Sequence, residues 1–324
     1  IGGVNGMQYL EISEFNATEK CEMREVEILW GDGTTDVIAY TNDYSVNDKY
    51  ANDADKDWGY TFYRQAYING EKNTAYDGKS RNIGYTIYKT VPDDIIVDWI
   101  HDNQFLDGYF NIYHTVCDPT RRFTNRDAHE LYCAGHLIEA AIAYHKATGK
   151  SKFLRCMEKY VLHIKDVFMD KYEAAFATPG HEEIELALIK LWEYTEKIEY
   201  LKLARYFVNL RGNNEKDLPL SENFDLIYNQ SHEPVRDMRE AVGHSVRAEY
   251  LYCAMADLAR IDEDKELKNA CKTIFNDIAN KKMYITGGVG SGIIGECFTE
   301  EYDLPNQFAY SESCAGIGLA LLSK

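Results

Sequence analysis

The feature that most constrains how this chain folds is a repeat in its second half. Three times a histidine stands at the start of an apolar-periodic helical stretch, and each stretch is followed, after a short turn, by another. The first pair reads over residues 129–147 and 153–170, joined by Thr148, Gly149 and Lys150. The second reads over 181–194 and 200–210, and the third over 240–260 and 267–282. One more helix opens near Cys314, and another is expected near 94–105. His129, His181 and His244 are 52 and 63 residues apart. A single helical hairpin cannot bury its apolar stripe alone, so such pairs stack into a solenoid or close into an α/α toroid.

In a toroid the first helices of the pairs begin on one face. A lone histidine at a helix start usually caps it or packs beside it, but three in register are expected to converge on one pocket as hydrogen-bond partners or acid/base groups. Their neighbours Glu130, Glu182 and Glu183 are read as acids favoured by the positive helix N-terminus. Before residue 95 the pattern is different. Alternating β-branched and aromatic residues over 26–30, 36–44, 59–68 and 82–91, with polar Gly, Asn and Asp clusters between them, predict a β-rich segment over 1–95. All nine histidines fall from His101 onward, so the chemistry is expected in the helical region over 96–324.

Acids outnumber bases 53 to 35, and the resulting balance of −18 opposes binding to nucleic acid and to anionic membranes. A neutral ligand fits better, and 25 tyrosines and 4 tryptophans offer rings that stack on sugars as well as on one another. Eight scattered cysteines with no CxxC spacing read as reduced thiols. No apolar run approaches the roughly 20 residues that span a bilayer, and no signal-peptide pattern follows Ile1, so a cytoplasmic protein is expected, with self-association left open.

Residues 282–306 form a glycine-rich polar stretch that is long for a connection between helices, which favours a functional loop. Its Gly287–Gly292 run lacks the following Lys-Ser/Thr and the βαβ setting of a phosphate cradle. Just beyond it, Glu312 and Cys314 are two apart and would project to one side of an extended backbone, where a carboxylate and a thiolate are credible zinc ligands. An N-terminal acid beside a small packed cysteine is the plainer reading.

Several segments follow one another in the order found in glycoside hydrolase family 127. They are 129–140, with His129 and His136; 179–187, around His181; 240–248, around His244; 283–288; 302–306; and Tyr310 to Cys314. The chain from about Trp99 onward thus resembles that zinc-dependent β-L-arabinofuranosidase family. The resemblance implies a mainly α fold with an (α/α)6 toroid and removal of β-linked L-arabinofuranose with retention of configuration. Residue by residue, it implies Glu296 as general acid/base, Glu312 and Cys314 as zinc ligands, and His129, His181, His244 and Tyr310 as sugar-contacting groups.

The family's nucleophile is a zinc-bound thiolate from an adjacent Cys-Cys pair well after the Glu-x-Cys motif. This sequence has no such pair, and Lys324 comes ten residues after Cys314. The expectation is therefore a truncated toroid belonging to a longer enzyme. Isolated Cys133 and Cys297 read as inert packing rather than substitute ligands. Two other functions remain open at this point: an α/α-toroid sugar epimerase or lyase that uses the histidines as acid and base, and a carbohydrate-binding remnant without turnover.

Overall fold

The computed structural model describes residues 96–219 and 224–324, and before them only the backbone of short strands and of the first helical turn. The chain divides into two compact units, Ile1–Trp99 and Ile100–Lys324. In the first, β1 (Gly2–Val4), β2 (Met7–Leu10) and β7 (Ile87–Thr90) pair antiparallel in that order. β3 (Glu25–Leu29) pairs with β4 (Thr35–Ala39), and β5 (Tyr67–Ile68) with β6 (Glu71–Lys72), also antiparallel. The remainder of the β-rich segment expected over 1–95 lies outside the described residues. Helix α1 (Asp93–Asn103) follows.

The second unit is helical. After the short α2 (Ile112–Val116) come α3 (Glu130–Thr148) and α4 (Lys152–Lys165), then α5 (Ile184–Thr195) and α6 (Ile198–Leu210), then α7 (Ser245–Ile261) and α8 (Lys265–Asp277), and last α9 (Ser313–Leu322). The first helices of the pairs lie side by side in the sequence α3, α5, α7, α9, while α4, α6 and α8 each pack against the helix before them. Burial follows this division. α4 buries one stripe, Phe153, Leu154, Met157, Tyr160, Val161 and Ile164, recurring every three to four residues as a helix with one covered face requires. α7 is buried on most sides from Ser245 to Leu251, because neighbours flank it left, right and behind.

The turns are set locally. α3 ends on Gly149 at φ 72°, a left-handed cap that costs glycine little. α8 begins at Asp264, whose side chain accepts the Leu267 N–H. The second helices expected over 153–170 and 267–282 run their full length only because α4 and α8 each continue as one π turn, Asp166–Asp170 and Ile278–Lys282. No helix among the described residues is long and apolar enough to cross a membrane.

Two expected helix starts need correction. The second pair begins at Ile184 rather than His181, and the third at Ser245 rather than Glu240. Gly243 sits at φ 72°, where a Cβ would come within 2.2 Å of the Ile227 carbonyl oxygen, so the chain there is pressed against a loop instead of coiling. Ahead of α5, the backbone groups of 177–180 are bonded to side chains from elsewhere in the fold, as described below.

Candidate active site

Each histidine reaches the mouth of the helix row in a different way. His129 is the N-cap of α3 at φ 59°, and its Nδ1 donates to the Asp127 carbonyl at 2.7 Å. His181 lies in the turn before α5, with Nδ1 donating to the Glu182 carbonyl at 2.9 Å. His244 caps α7, its Nδ1 accepting the Arg247 backbone N–H at 3.4 Å. The three rings form a chain, with centroids 5.8 Å apart from His129 to His181 and 5.5 Å from His181 to His244. Tyr132 extends it, 4.3 Å from the His181 ring and 4.5 Å from that of His136.

The partners settle the tautomers, since a carbonyl only accepts and an N–H only donates. His244 uses Nδ1 as acceptor, so its proton is on Nε2, which donates to Glu296 Oε2 at 3.1 Å. Burial, reinforced by the Arg247 guanidinium, depresses the His181 pKa to about 2 and that of His244 to about 4. Both rings are therefore neutral near pH 7.

Glu296 is carried on a short 3₁₀ turn, Ile294–Glu296, folded back onto the start of α7. Ser245 Oγ donates to the Glu296 carbonyl at 3.0 Å, and Phe298 N–H donates to the Gly243 carbonyl at 2.8 Å. Gly290, at φ 73°, is required here because a Cβ would lie 2.5 Å from Ser245 Oγ. The glycine-rich stretch thus serves close approach of backbone to helix. The Glu296 side chain keeps 41% exposure while touching a histidine that keeps only 8%.

Tyr310 joins this carboxylate to the α9 start. Its hydroxyl donates to Glu312 Oε2 at 3.2 Å, and desolvation, with the Glu296 carboxylate close by, pushes it up to about 12. Glu312 is the N-cap of α9 and Cys314 its second residue, so the extended backbone expected there is instead a helix entry. The two side chains still meet. They hydrogen-bond each other, and the Cys314 thiol is raised by desolvation and by the Glu312 charge. Among the described residues, no third metal-ligand group joins these two; the one such trio is His136, Glu139 and Glu183, whose ligand atoms lie within 4.8 Å of one another. The Lys190 ammonium already pairs with Glu139, and burial pushes Glu183 up to about 10, so protons and an ammonium balance that cluster. Cys297 donates to the carbonyl of Gly295, two residues before it, at 3.0 Å and is pushed up to about 11 by burial, an unreactive thiol.

What the sequence reading missed is the buried polar frame behind the histidines. Asp217 Oδ1 accepts the N–H groups of Ala177 and Thr178, and Oδ2 accepts the Thr178 hydroxyl. Arg126 donates to the Thr178 carbonyl, Arg211 to the Pro179 carbonyl and Arg247 to the Gly180 carbonyl. Four successive residues before His181 are thus each bonded to a buried side chain. Glu182 and Glu185 flank the fully buried Arg211 at 2.9 and 3.0 Å. Glu182 is consequently an ion-pair partner, not a surface acid at a helix start, although burial still pushes it up to about 8. Glu130 is likewise buried, accepting from Tyr109 Oη at 2.5 Å and from the Phe123 N–H at 2.8 Å.

A family model described as "Beta-L-arabinofuranosidase, GH127 catalytic domain" matches residues 89–324. The chain is 34% identical over 249 residues to a curated non-reducing end β-L-arabinofuranosidase of Bifidobacterium longum subsp. longum, a stretch covering 71% of this chain and 38% of that protein. A solved GH127 β-L-arabinofuranosidase from Geobacillus stearothermophilus T6 superimposes with a TM-score of 0.68 at 45% identity, over 71% of this chain and 38% of the other. A second solved GH127 β-arabinofuranosidase gives 0.64 at 36% identity, over 71% and 36%. The chain therefore spans little more than a third of the length of these relatives.

Proposed function

Because this chain belongs to the GH127 β-L-arabinofuranosidase family, we propose that it forms the sugar-binding and acid/base face of a retaining glycosidase that releases β-L-arabinofuranose from the non-reducing end of its substrate. The observation that carries the reading is the His244–Glu296 contact, a half-exposed carboxylate fixed by a neutral imidazole N–H at 3.1 Å. With Oε2 held by that N–H, Oε1 is the oxygen that presents a proton to the departing glycosidic oxygen. In the second half-reaction the same carboxylate takes a proton from the attacking water. His181 and His129 continue the row from His244 as partners for ring hydroxyls, and the neutral state of His181 leaves its Nε2 able to accept. Tyr310 donates to Glu312 and stands close to Glu296, between the acid/base carboxylate and the α9 start.

Glu312 and Cys314 fit a zinc ion as two of its ligands, since a carboxylate and a thiol already in hydrogen-bonding contact need only lose the thiol proton. When bound, zinc would supply the charge that keeps a cysteine sulfur deprotonated at neutral pH. The adjacent cysteine pair that would provide the nucleophile does not occur in this sequence. In the same reading, the row α3, α5, α7, α9 with its outer helices is an arc of an (α/α)6 toroid, preceded by a β-rich segment over 1–95.

The test is Glu296→Gln in the full-length protein that contains this chain, assayed on an aryl β-L-arabinofuranoside with zinc content measured alongside. Hydrolysis should fall by about 10²–10⁴-fold with zinc retained. Full turnover by the variant would exclude the acid/base role, and an isomerised or unsaturated sugar as product would replace the hydrolase reading with that of an epimerase or lyase.

A further inference from the structure

We propose that Arg247 is the positioning residue that locks the three histidine-bearing loops into one sugar-binding register. The inference rests on the function proposed above. Arg247 is buried on the first turn of α7, at 4% exposure, and makes a separate contact to each loop. Its Nη1 donates to the carbonyl of Gly180, the residue before His181, at 2.6 Å. Its Nη2 lies 3.4 Å from Oδ1 of Asp127, two residues before His129. Its backbone N–H, which Lys or Ala would keep, donates to Nδ1 of His244 and selects the tautomer that meets Glu296, so the side chain itself reaches His244 only through Tyr228.

A fourth contact closes the arrangement. The guanidinium lies over the Tyr228 ring, 4.7 Å from its centroid. That ring packs edge-on against His244 at 5.6 Å, and the Tyr228 carbonyl accepts the His244 backbone N–H at 3.0 Å. Segments 67 and 120 residues away in sequence thus meet on one side chain. Only a planar fork with several donors reaches a carbonyl, a carboxylate and an aromatic face at once; a lysine ammonium presents a single compact charge. The same positive charge sits beside His181 and His244 and favours their neutral forms, which suits imidazoles that meet uncharged hydroxyls.

The experiment compares wild type, Arg247→Lys and Arg247→Ala in the full-length protein. It follows KM and kcat for an aryl β-L-arabinofuranoside, thermal melting, and ring-nitrogen NMR of ¹⁵N-histidine-labelled protein. Both variants should raise KM by about 10- to 100-fold with a smaller change in kcat, since loops misplaced by about 1 Å lose orientation. Guanidinium ion should restore Arg247→Ala, and methylammonium should not. A wild-type KM in either folded variant, or a loss that guanidinium leaves untouched, overturns the proposal. If Arg247→Ala does not fold, Arg247→Lys decides. The NMR arm needs no substrate: ring signals of His129, His181 and His244 should all move in Arg247→Lys, and unmoved signals overturn the claim. Absence of turnover in wild type would count against the functional reading alone.

Discussion

Two carboxyl groups close to the start of α7 live in opposite conditions. Glu296, folded against the helix N-terminus, keeps 41% exposure and receives the His244 N–H at 3.1 Å. Glu249, little more than one turn into the helix, is 0% exposed, and neither of its oxygens has a hydrogen-bond partner. Burial pushes the carboxyl up to about 9. It packs against the α9 backbone so tightly that a Cβ on Gly318 would lie 2.5 Å from Oε2. The first carboxyl is open to a ligand and the second is held as a neutral acid. Nearness to the same helix start does not decide which is open to a ligand; access and partners do.

The comparison breaks first if activity fails to separate the two. In the full-length protein, on the proposed function, Glu249→Gln should hydrolyse arabinofuranoside at close to the wild-type rate, against the loss of about 10²–10⁴-fold expected for Glu296→Gln; comparable losses in matched assays would mean that the buried acid takes part. Next in size is the frame beneath the histidines. Arg211→Met leaves Glu182 and Glu185 buried without their cation, and should cost about 3–5 kcal/mol in urea unfolding. A cost below about 1 kcal/mol would show that these two ion pairs contribute little to holding the frame.

Glu249→Met should act in the other direction, stabilising by about 1–3 kcal/mol as an unpartnered polar group is removed from the interior. An acid whose folded pKa is raised contributes stability that is complete below the unfolded value and lost as pH rises toward the folded one. Here that window runs from 4.5 up to about 9. The variant should therefore flatten the decline in melting temperature across this range, and an unchanged slope would place the decline elsewhere. The smallest effect sharpens the geometry. Gly318→Ala should cost about 1–2 kcal/mol in wild type and less alongside Glu249→Ala, a coupling that a double-mutant cycle reads directly.

The helical period made much of the site legible. Because His129, His181 and His244 each stand beside an inner-helix start, their convergence could be read from spacing, and the structure places their rings in line. Their chemical roles come from the resemblance, not from spacing. The supports of that line were not legible. Arg126, Asp217 and Arg247 bind the 177–180 segment from 39 to 67 residues away, and such contacts leave no local periodicity to detect. Arg247 lay inside a recognised motif, yet nothing in its neighbours announces a side chain that reaches Gly180. The two late helix starts have the same origin, since backbone groups committed to distant partners are withdrawn from the helix that apolar spacing suggests. At Glu312 and Cys314 the two-residue spacing fits a strand and a helix entry equally well, and the α9 cap decided it.

The fastening of residues 177–180 also bears on how fast a ligand can arrive. A loop tied at four successive positions has no slow closing movement to complete after a sugar lands, so encounter and final complex merge into one event. On the proposed reading, sugar association beside His181 should then follow a single exponential whose rate rises in proportion to sugar concentration, without the plateau that a rearranging loop imposes.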